Sequence, residues 1–509
     1  MNSRKMPSIC SIAKRGAIVG LSLALAVPAI PVAAWAQPVG LPSMGAASAT
    51  ELSPMLERSL GEAIMSQGRR DPTYVDDSEL SQYLTTMGRK LAAYAPGAVP
   101  EVEMFGVRDP EINAFAMPGG FIGVNTGLIV SSASESELAA VLAHEIGHVV
   151  QRHIARGMTQ QNQNSMVMLA SLAGALLAAL AGGGGNLAMG VAAFGQAAAI
   201  NRQLGFSRDA EREADRAGLQ MLTKAGYDAE GMSQMFGRLM NASRLNEGAG
   251  GGSWASTHPL SIERMSDVQN RVRAAQPVAS RHVDSDDFWY VRAKMRVVQG
   301  RDAVSLRTAG QQLQDEAQAL SGVRRSAAYY GLALQAYQRN NMAEAERNWN
   351  LASADGRASP QLAKLSVDIA LARKDYPKAL ELAQAAAKRW PAQRALGIAY
   401  AQALQSVGRH ADAQEYLRAK IKQWGSDEPS LYQMLAQSED RNGKPVAARR
   451  DQARYYVMTG AYAAAESQLQ QARSMSTDFY EQSQIDVQIK EVKDKLAEER
   501  QLLERFKSG

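Results

Sequence analysis

The stretch 141-VLAHEIGHVVQRHIARG-157 sets His144, Glu145 and His148 side by side, with His153 following five positions later. An α-helix turns about 100° per residue, so His144 and His148 lie about 40° apart on one face while His153 points nearly opposite His144. The flanks carry no proline, and Ser134 stands three residues before Glu137 in the pattern of a capping box. The spacing predicts one helix that offers two imidazoles to a single ion. HExxH on a helix points to zinc: neutral His144 and His148 as ligands, and Glu145 as the base that takes a proton from the attacking water. His153 is expected as a surface or packing histidine. Gln151 and Ile154 stand where a metzincin needs glycine and histidine, which excludes that subclass.

Two histidines do not complete a zinc site, so a third ligand is expected on another helix. The stretch 207-SRDAEREADRAG-218 offers Glu211 and Asp215, four apart and on a shared face, with Glu213 turned about 200° from Glu211. A glutamate ligand with an aspartate orienting one of the histidines would complete the set. Read by itself, with three arginines among its acids, the stretch fits a solvated charged helix better.

At 509 residues the chain has room for about two or three domains. Arg4, Lys5, Lys14 and Arg15 precede or open an apolar run from Ala17 to Ala33, and Ala34-Trp35-Ala36 stands before Gln37. This pattern predicts a secretory signal over 1–36 with an A-x-A cleavage site. Cys10, the only cysteine, precedes the apolar run, so it is no lipoprotein attachment point and the mature chain needs no disulfide. The net charge of +5 falls to +1 once those four cations are removed. Without a basic stripe interleaved with aromatics, nothing points to nucleic acid.

Residues 37–50, rich in Pro, Gly, Ala and Ser, form a flexible lead-in, and Glu51 to Ala95 is expected to be helical up to Pro96-Gly97. Between 102 and 129, alternation broken at Asp109-Pro110 and Pro118-Gly119-Gly120 predicts strands joined by turns. Phe121 to Val124 is expected as an edge strand able to pair with an extended substrate, an ordinary core hairpin being the alternative. The most apolar mature stretch, 166–200, has 16 residues before four glycines, too few for a comfortable membrane span. It is expected to form a glycine-broken helical hairpin that packs on the protein or makes peripheral membrane contact. From about residue 325 the chain repeats: Ala345, Ala379, Ala413 and Ala447 are each 34 apart. That is the period of tetratricopeptide repeats, which stack into an α-solenoid whose groove holds protein partners.

HEIGH and SRDAEREAD, preceded by 112-INAFAMPGG-120 and followed by 257-THPLSIER-264, resemble the gluzincin family that includes the prenyl-protein CAAX protease and the HtpX-type heat-shock protease. The resemblance implies Glu211 as third zinc ligand, with Asp215 behind it assisting catalysis. Membrane-embedded members have true spans between the two motifs, where this chain has only the short broken hairpin. His258 and Arg264 are candidates for a further donor to the oxyanion. His258 follows the glycine-rich run 248–253, so it is also a candidate lid residue that would take the open zinc position and silence the enzyme. Its alternative is that Thr257-His258-Pro259 merely caps the next helix.

Signal, gluzincin core and repeat tail in this order are similar to the β-barrel assembly-enhancing proteases of the Gram-negative periplasm, up to the closing 503-LERFK-507. This implies a mainly α protein: an α+β zinc-metalloprotease domain over 51–283, then an α-solenoid of tetratricopeptide repeats over 284–509. It implies a periplasmic endopeptidase with one Zn²⁺ per chain that degrades misassembled outer-membrane β-barrels. It also implies help in assembling the lipopolysaccharide-export barrel, with the repeats docking on the barrel-assembly machinery. An assembly factor with a largely silent protease and a membrane-embedded protease are the alternatives.

Overall fold

The computed structural model describes residues 53–97, 101–160, 173–174, 176–177, 206–245, 258–259, 261–274, 282–354, 356–425 and 428–508. The expected signal, the lead-in, the glycine-rich run at 248–253 and nearly all of 166–200 lie outside them. Of the last stretch, Ala173 and Leu176 are described, and both are buried.

The described residues open with two helices, where one is expected over 51–95. Ser53 caps α1 (Pro54–Gly68) and Asp77 caps α2 (Ser78–Ala92). Between them Asp71 turns the chain by accepting from Thr73 N and Oγ1, both at 2.7 Å, and Tyr74 bridges to Val107. Three strands follow: β1 (Glu103–Val107), β2 (Ala114–Ala116) and β3 (Phe121–Asn125), in the order β1-β3-β2. β1 runs parallel to β3 and β2 antiparallel to it. β3 is therefore central, paired on both sides, and Phe121 to Val124 cannot be the edge expected from the sequence. The edge next to the metal helix is β2. The error has a plain cause: alternation shows that a segment is a strand but not where it stands in the sheet.

A short helix α3 (Thr126–Ser131) leads to α4 (Glu135–Val150), the HExxH helix. Ser134 Oγ accepts from Glu137 N at 3.2 Å, and the Glu137 carboxylate returns to Ala133 N at 2.7 Å, a capping box displaced by one residue. Every residue from Glu135 to Val149 is buried, so α4 is the central rod of the first core. It ends where Arg152 adopts φ 52°, held by an ion pair to Glu57 at 3.1 Å. A separate helix, α5 (His153–Gln160), starts in a new direction. Ser207 caps α6 (Arg208–Lys224), which lies along α4, and α7 (Glu230–Leu245) and α8 (Ile262–Ala274) complete the domain.

The next helix, α9 (Asp286–Val298), buries Phe288, Tyr290 and Met295 in the same apolar core as α4, and that core continues to Ile369. Helix pairs follow: α10 (Ala303–Ala319) with α11 (Gly322–Gln338), α12 (Met342–Ala352) with α13 (Pro360–Ala372), and α14 (Tyr376–Arg389) with α15 (Arg394–Ser406). They continue as α16 (His410–Trp424) with α17 (Ser430–Arg441), α18 (Pro445–Met458) with α19 (Tyr462–Met475), and α20 (Phe479–Ser508).

One turn geometry recurs. Asn340, Lys374, Gly408, Gly443 and Gly460 all have positive φ two residues before a helix. After each, a backbone N–H reaches back across the turn to a helix carbonyl at 2.8–2.9 Å, as from Asn341 to Ala336 and Asp375 to Ala370. Ala345, Ala379 and Ala413 are fully buried as the fourth residues of their helices. The fourth member expected from the period, Ala447, is only half-buried; α18 starts one residue late and Ala448 takes the buried place. The solenoid curls back onto α1 and α2. Gln82 Nε2 donates to Ala392 O at 2.8 Å, Arg69 to Met458 O at 3.2 Å, and Ser66 to Glu499 at 3.0 Å. Leu503 and Phe506 of α20 enter the apolar core around α4.

Candidate metal centre

The site exists because α4 and α6 approach closely. A Cβ on Gly147 would stand 2.9 Å from Ala214 O, and one on Gly218 3.1 Å from His144 N. Each helix thus presents a glycine where the other's backbone passes. That closeness brings Glu211 and Asp215 up to the histidines, all four being buried.

His144 Nε2 and His148 Nε2 are 3.0 Å apart, and each is 3.5 Å from an oxygen of Glu211. His258 Nδ1 stands 2.9 Å from Glu211 and 3.4 Å from His144 Nε2. A tetrahedron with metal–ligand arms of about 2.0–2.1 Å has edges of roughly 3.3–3.4 Å. The four donors, all within 4.8 Å of one another, therefore have the chemistry and approximate spacing of a tetrahedral metal site. Three imidazoles and a carboxylate converging in a buried space have no comparable reason to be there without a cation.

Electrostatics favour ligation at His148 and Glu211, while at His144 a proton must leave before a metal can bind. Burial pushes His148 well below the ordinary histidine value, and neighbouring His144, His258 and His153 add to the effect, which keeps it in the neutral form that ligation needs. Burial also opposes charge on Glu211, yet His258 and His144 hold it well below the usual carboxylate range. For His144, burial is outweighed by hydrogen bonds to Asp215 and Glu211, which raise it to about 9 in the metal-free protein.

The ligands are held from behind. Asp215 Oδ1 lies 2.9 Å from His144 Nδ1, so the aspartate directs Nε2 at the metal position. Arg264 grips Asp215 with two bonds of 2.8 Å and reaches Glu211 Oε2 at 2.8 Å and Pro259 O at 2.9 Å. Arg264, expected as a possible oxyanion donor, here binds Glu211 of the donor cluster and the Asp215 behind His144. Glu145 Oε2 accepts from Ala116 N of β2 at 3.1 Å, and Oε1 is 3.4 Å from His258 Nε2. His258, expected either over the site or capping a helix, is 1 % exposed and seated among the ligands.

The helical wheel misplaced His153. Because the helix breaks at Arg152, His153 turns back, and its Nδ1 lies 2.9 Å from His148 Nδ1. Phe206 was also missed, although it directly precedes the cap Ser207. Its ring lies 4.0 Å from that of His148 and 5.6 Å from that of His258, walling one side.

Residues 78–272 match the model of peptidase family M48. A relative in Vibrio cholerae is 37% identical over 279 residues, 55% of this chain and 56% of that one. The Beta-barrel assembly-enhancing protease of Escherichia coli K12 is 30% identical over 476 residues, 92% of each chain. Mitochondrial metalloendopeptidase OMA1 of Arabidopsis thaliana is 34% identical over 162 residues, 32% of this chain and 30% of its own. Among solved structures, the crystal structure of the P58(IPK) TPR domain overlaps 70% of this chain and 98% of its own, at 14% identity and a TM-score of 0.14. The solenoid assignment rests on the repeated turns and buried alanines instead. With the metal-binding geometry lying inside the family match and a relative aligned over 92% of the length, the chain belongs to peptidase family M48, among the β-barrel assembly-enhancing proteases, and is a metalloprotease.

Proposed function

We propose that this protein is an exported zinc endopeptidase that removes misassembled outer-membrane β-barrels. His144, His148 and Glu211 would hold one Zn²⁺ per chain. The observation that carries this reading is the buried convergence of His144, His148 and Glu211, with the buried Glu145 carboxylate 3.4 Å from His258 of the same cluster. When bound, zinc supplies Lewis acidity that polarises the scissile carbonyl and acidifies the attacking water. Glu145 takes the proton of that water and passes it to the leaving amine. The Ala116 N–H fixes one carboxylate oxygen of Glu145, and the other lies 3.4 Å from His258 Nε2 on the side of the donor cluster. Asp215 keeps the His144 hydrogen on Nδ1, and Arg264 offsets the charge of the ligand Glu211 and of Asp215 behind His144.

The N-terminal pattern supports export to the periplasm, and the name of the Escherichia coli relative supports a role in barrel assembly. The solenoid supports docking on the barrel-assembly machinery, and help to the lipopolysaccharide-export barrel belongs to the same reading. Among the described residues no helix is long and apolar enough to cross a membrane. Purified protein should cleave a stalled, unfolded barrel precursor and spare the folded barrel, while Glu145→Gln leaves both intact. Equal resistance of the unfolded precursor to both proteins would refute the reading.

A second reading, an assembly factor whose protease is largely silent, has His258 in its favour. Seated at the fourth vertex, this side chain stands where water and substrate must enter. His258→Ala should raise basal casein cleavage several-fold with the metal content unchanged. Unchanged or lower cleavage with intact metal would remove the inhibitory role.

A further inference from the structure

The two histidine ligands are supported in different ways, and only one support has been given a role. His144 has an anion behind it, Asp215 at 2.9 Å from Nδ1. His148 has another imidazole: its Nδ1 faces His153 Nδ1 at 2.9 Å. His153 Nε2 lies 3.1 Å from Glu213 Oε2, which also accepts from Arg156 at 2.8 Å.

The hydrogens along this row follow from elementary chemistry. A neutral imidazole carries one N–H, and a ring nitrogen that gives its lone pair to a cation cannot also carry hydrogen. His148 turns Nε2 towards His144 and Glu211, so its hydrogen must sit on Nδ1. That N–H points at His153 Nδ1, which can accept only if it is bare. The His153 hydrogen then sits on Nε2, where the Glu213 carboxylate accepts it. Metal ligation, the His148 tautomer and the His153 tautomer are thus one linked assignment, ended by a half-exposed carboxylate that Arg156 anchors.

Resting on the metal-site reading above, we propose that His153 is a positioning residue for the metal. As the neutral acceptor behind His148, it fixes that ligand's tautomer and ring plane, and Glu213 fixes His153 in turn. The helix break is what makes this possible. With α4 continued past Val150, His153 would face away; the positive φ of Arg152, held by Glu57, turns it back. Burial of His153, which is 2 % exposed, keeps water from replacing it as acceptor. Removing such an outer partner of a histidine ligand typically weakens metal affinity by about 10–100-fold.

Two substitutions separate acceptor from filler. Leucine keeps bulk and removes the acceptor; asparagine can place its amide oxygen near the Nδ1 position. Apparent Zn²⁺ affinity is measured by chelator competition on the full-length protein, His153→Leu and His153→Asn, with the thermal midpoint of each metal-free form recorded alongside. The expected result is an affinity loss of about 10–100-fold for His153→Leu, recovery of most of it in His153→Asn, and similar metal-free midpoints. Wild-type affinity in His153→Leu would overturn the proposal. Equal losses in both variants with lowered metal-free midpoints would assign His153 to packing and overturn it as well. If the wild-type protein binds no Zn²⁺, the metal-site reading itself fails, a result distinguishable from either of these.

Discussion

The metal centre and the solenoid solve the problem of placing residues in opposite ways. In the centre every contact has its own device. Gly147 and Gly218 let two helices close in, a left-handed Arg152 turns His153 around, and Arg264 crosses from α8 to tie Asp215 to Glu211. In the solenoid one device is repeated: a left-handed residue, a backbone bond across the turn, and a small buried residue where helices touch. A repeated device tolerates local change because each pair leans mainly on its neighbours. A bespoke one does not.

The contrast can be broken first at Gly147. Gly147→Leu drives a side chain into the backbone of Ala214 and should part α4 from α6. Overpacking of this kind costs about 1–3 kcal/mol, and metal affinity should fall by at least about tenfold because Glu211 moves with α6. Chemical denaturation and chelator competition measure the two effects. Unchanged affinity would mean that the helix approach does not set the site.

A smaller, local effect is expected where the solenoid closes on the protease. Gly460 has φ 68°, and a Cβ there would stand 2.6 Å from Ser66. Gly460→Leu should free α20 for limited proteolysis while metal content stays at the wild-type level. Lost metal would show that the closure reaches the active site and that the two regions are not independent.

The smallest effect concerns pH. Burial, with the Glu439 carboxyl nearby, raises Asp451 of the solenoid from its ordinary 3.8 to about 7. The folded state therefore holds this proton more tightly than the unfolded chain. Its stabilising contribution is complete below about pH 4 and is lost as pH rises towards 7. Asp451→Asn should raise the thermal midpoint at pH 8 and change it little at pH 4. An equal shift at both pH values would contradict the assignment.

How much of this was legible in the sequence follows from the same contrast. HExxH was readable because both histidines must share a helical face within one turn, and the capping box because it spans four residues. Glu211 was not separable from a solvated charged helix by spacing alone; it needed the resemblance. His153 was misplaced because helical periodicity assumes an unbroken helix, and a positive φ at arginine has no signal in composition. The 34-residue period located the solenoid, yet it missed the one-residue slip that moves the buried place from Ala447 to Ala448. β3 was mistaken for an edge because pairing partners are set by tertiary structure. The closure of α20 on α1 joins residues more than 400 apart, and no local pattern records it.

Proteolysis at this metal centre is tested most directly by one paired assay on the purified full-length protein and Glu145→Gln: metal content by mass spectrometry, and casein cleavage. The expected result is about one Zn²⁺ per chain in both proteins, with cleavage reduced by about 10²–10⁴-fold in the variant. Undiminished cleavage in Glu145→Gln, or hydrolysis that persists after the metal is removed, would contradict it.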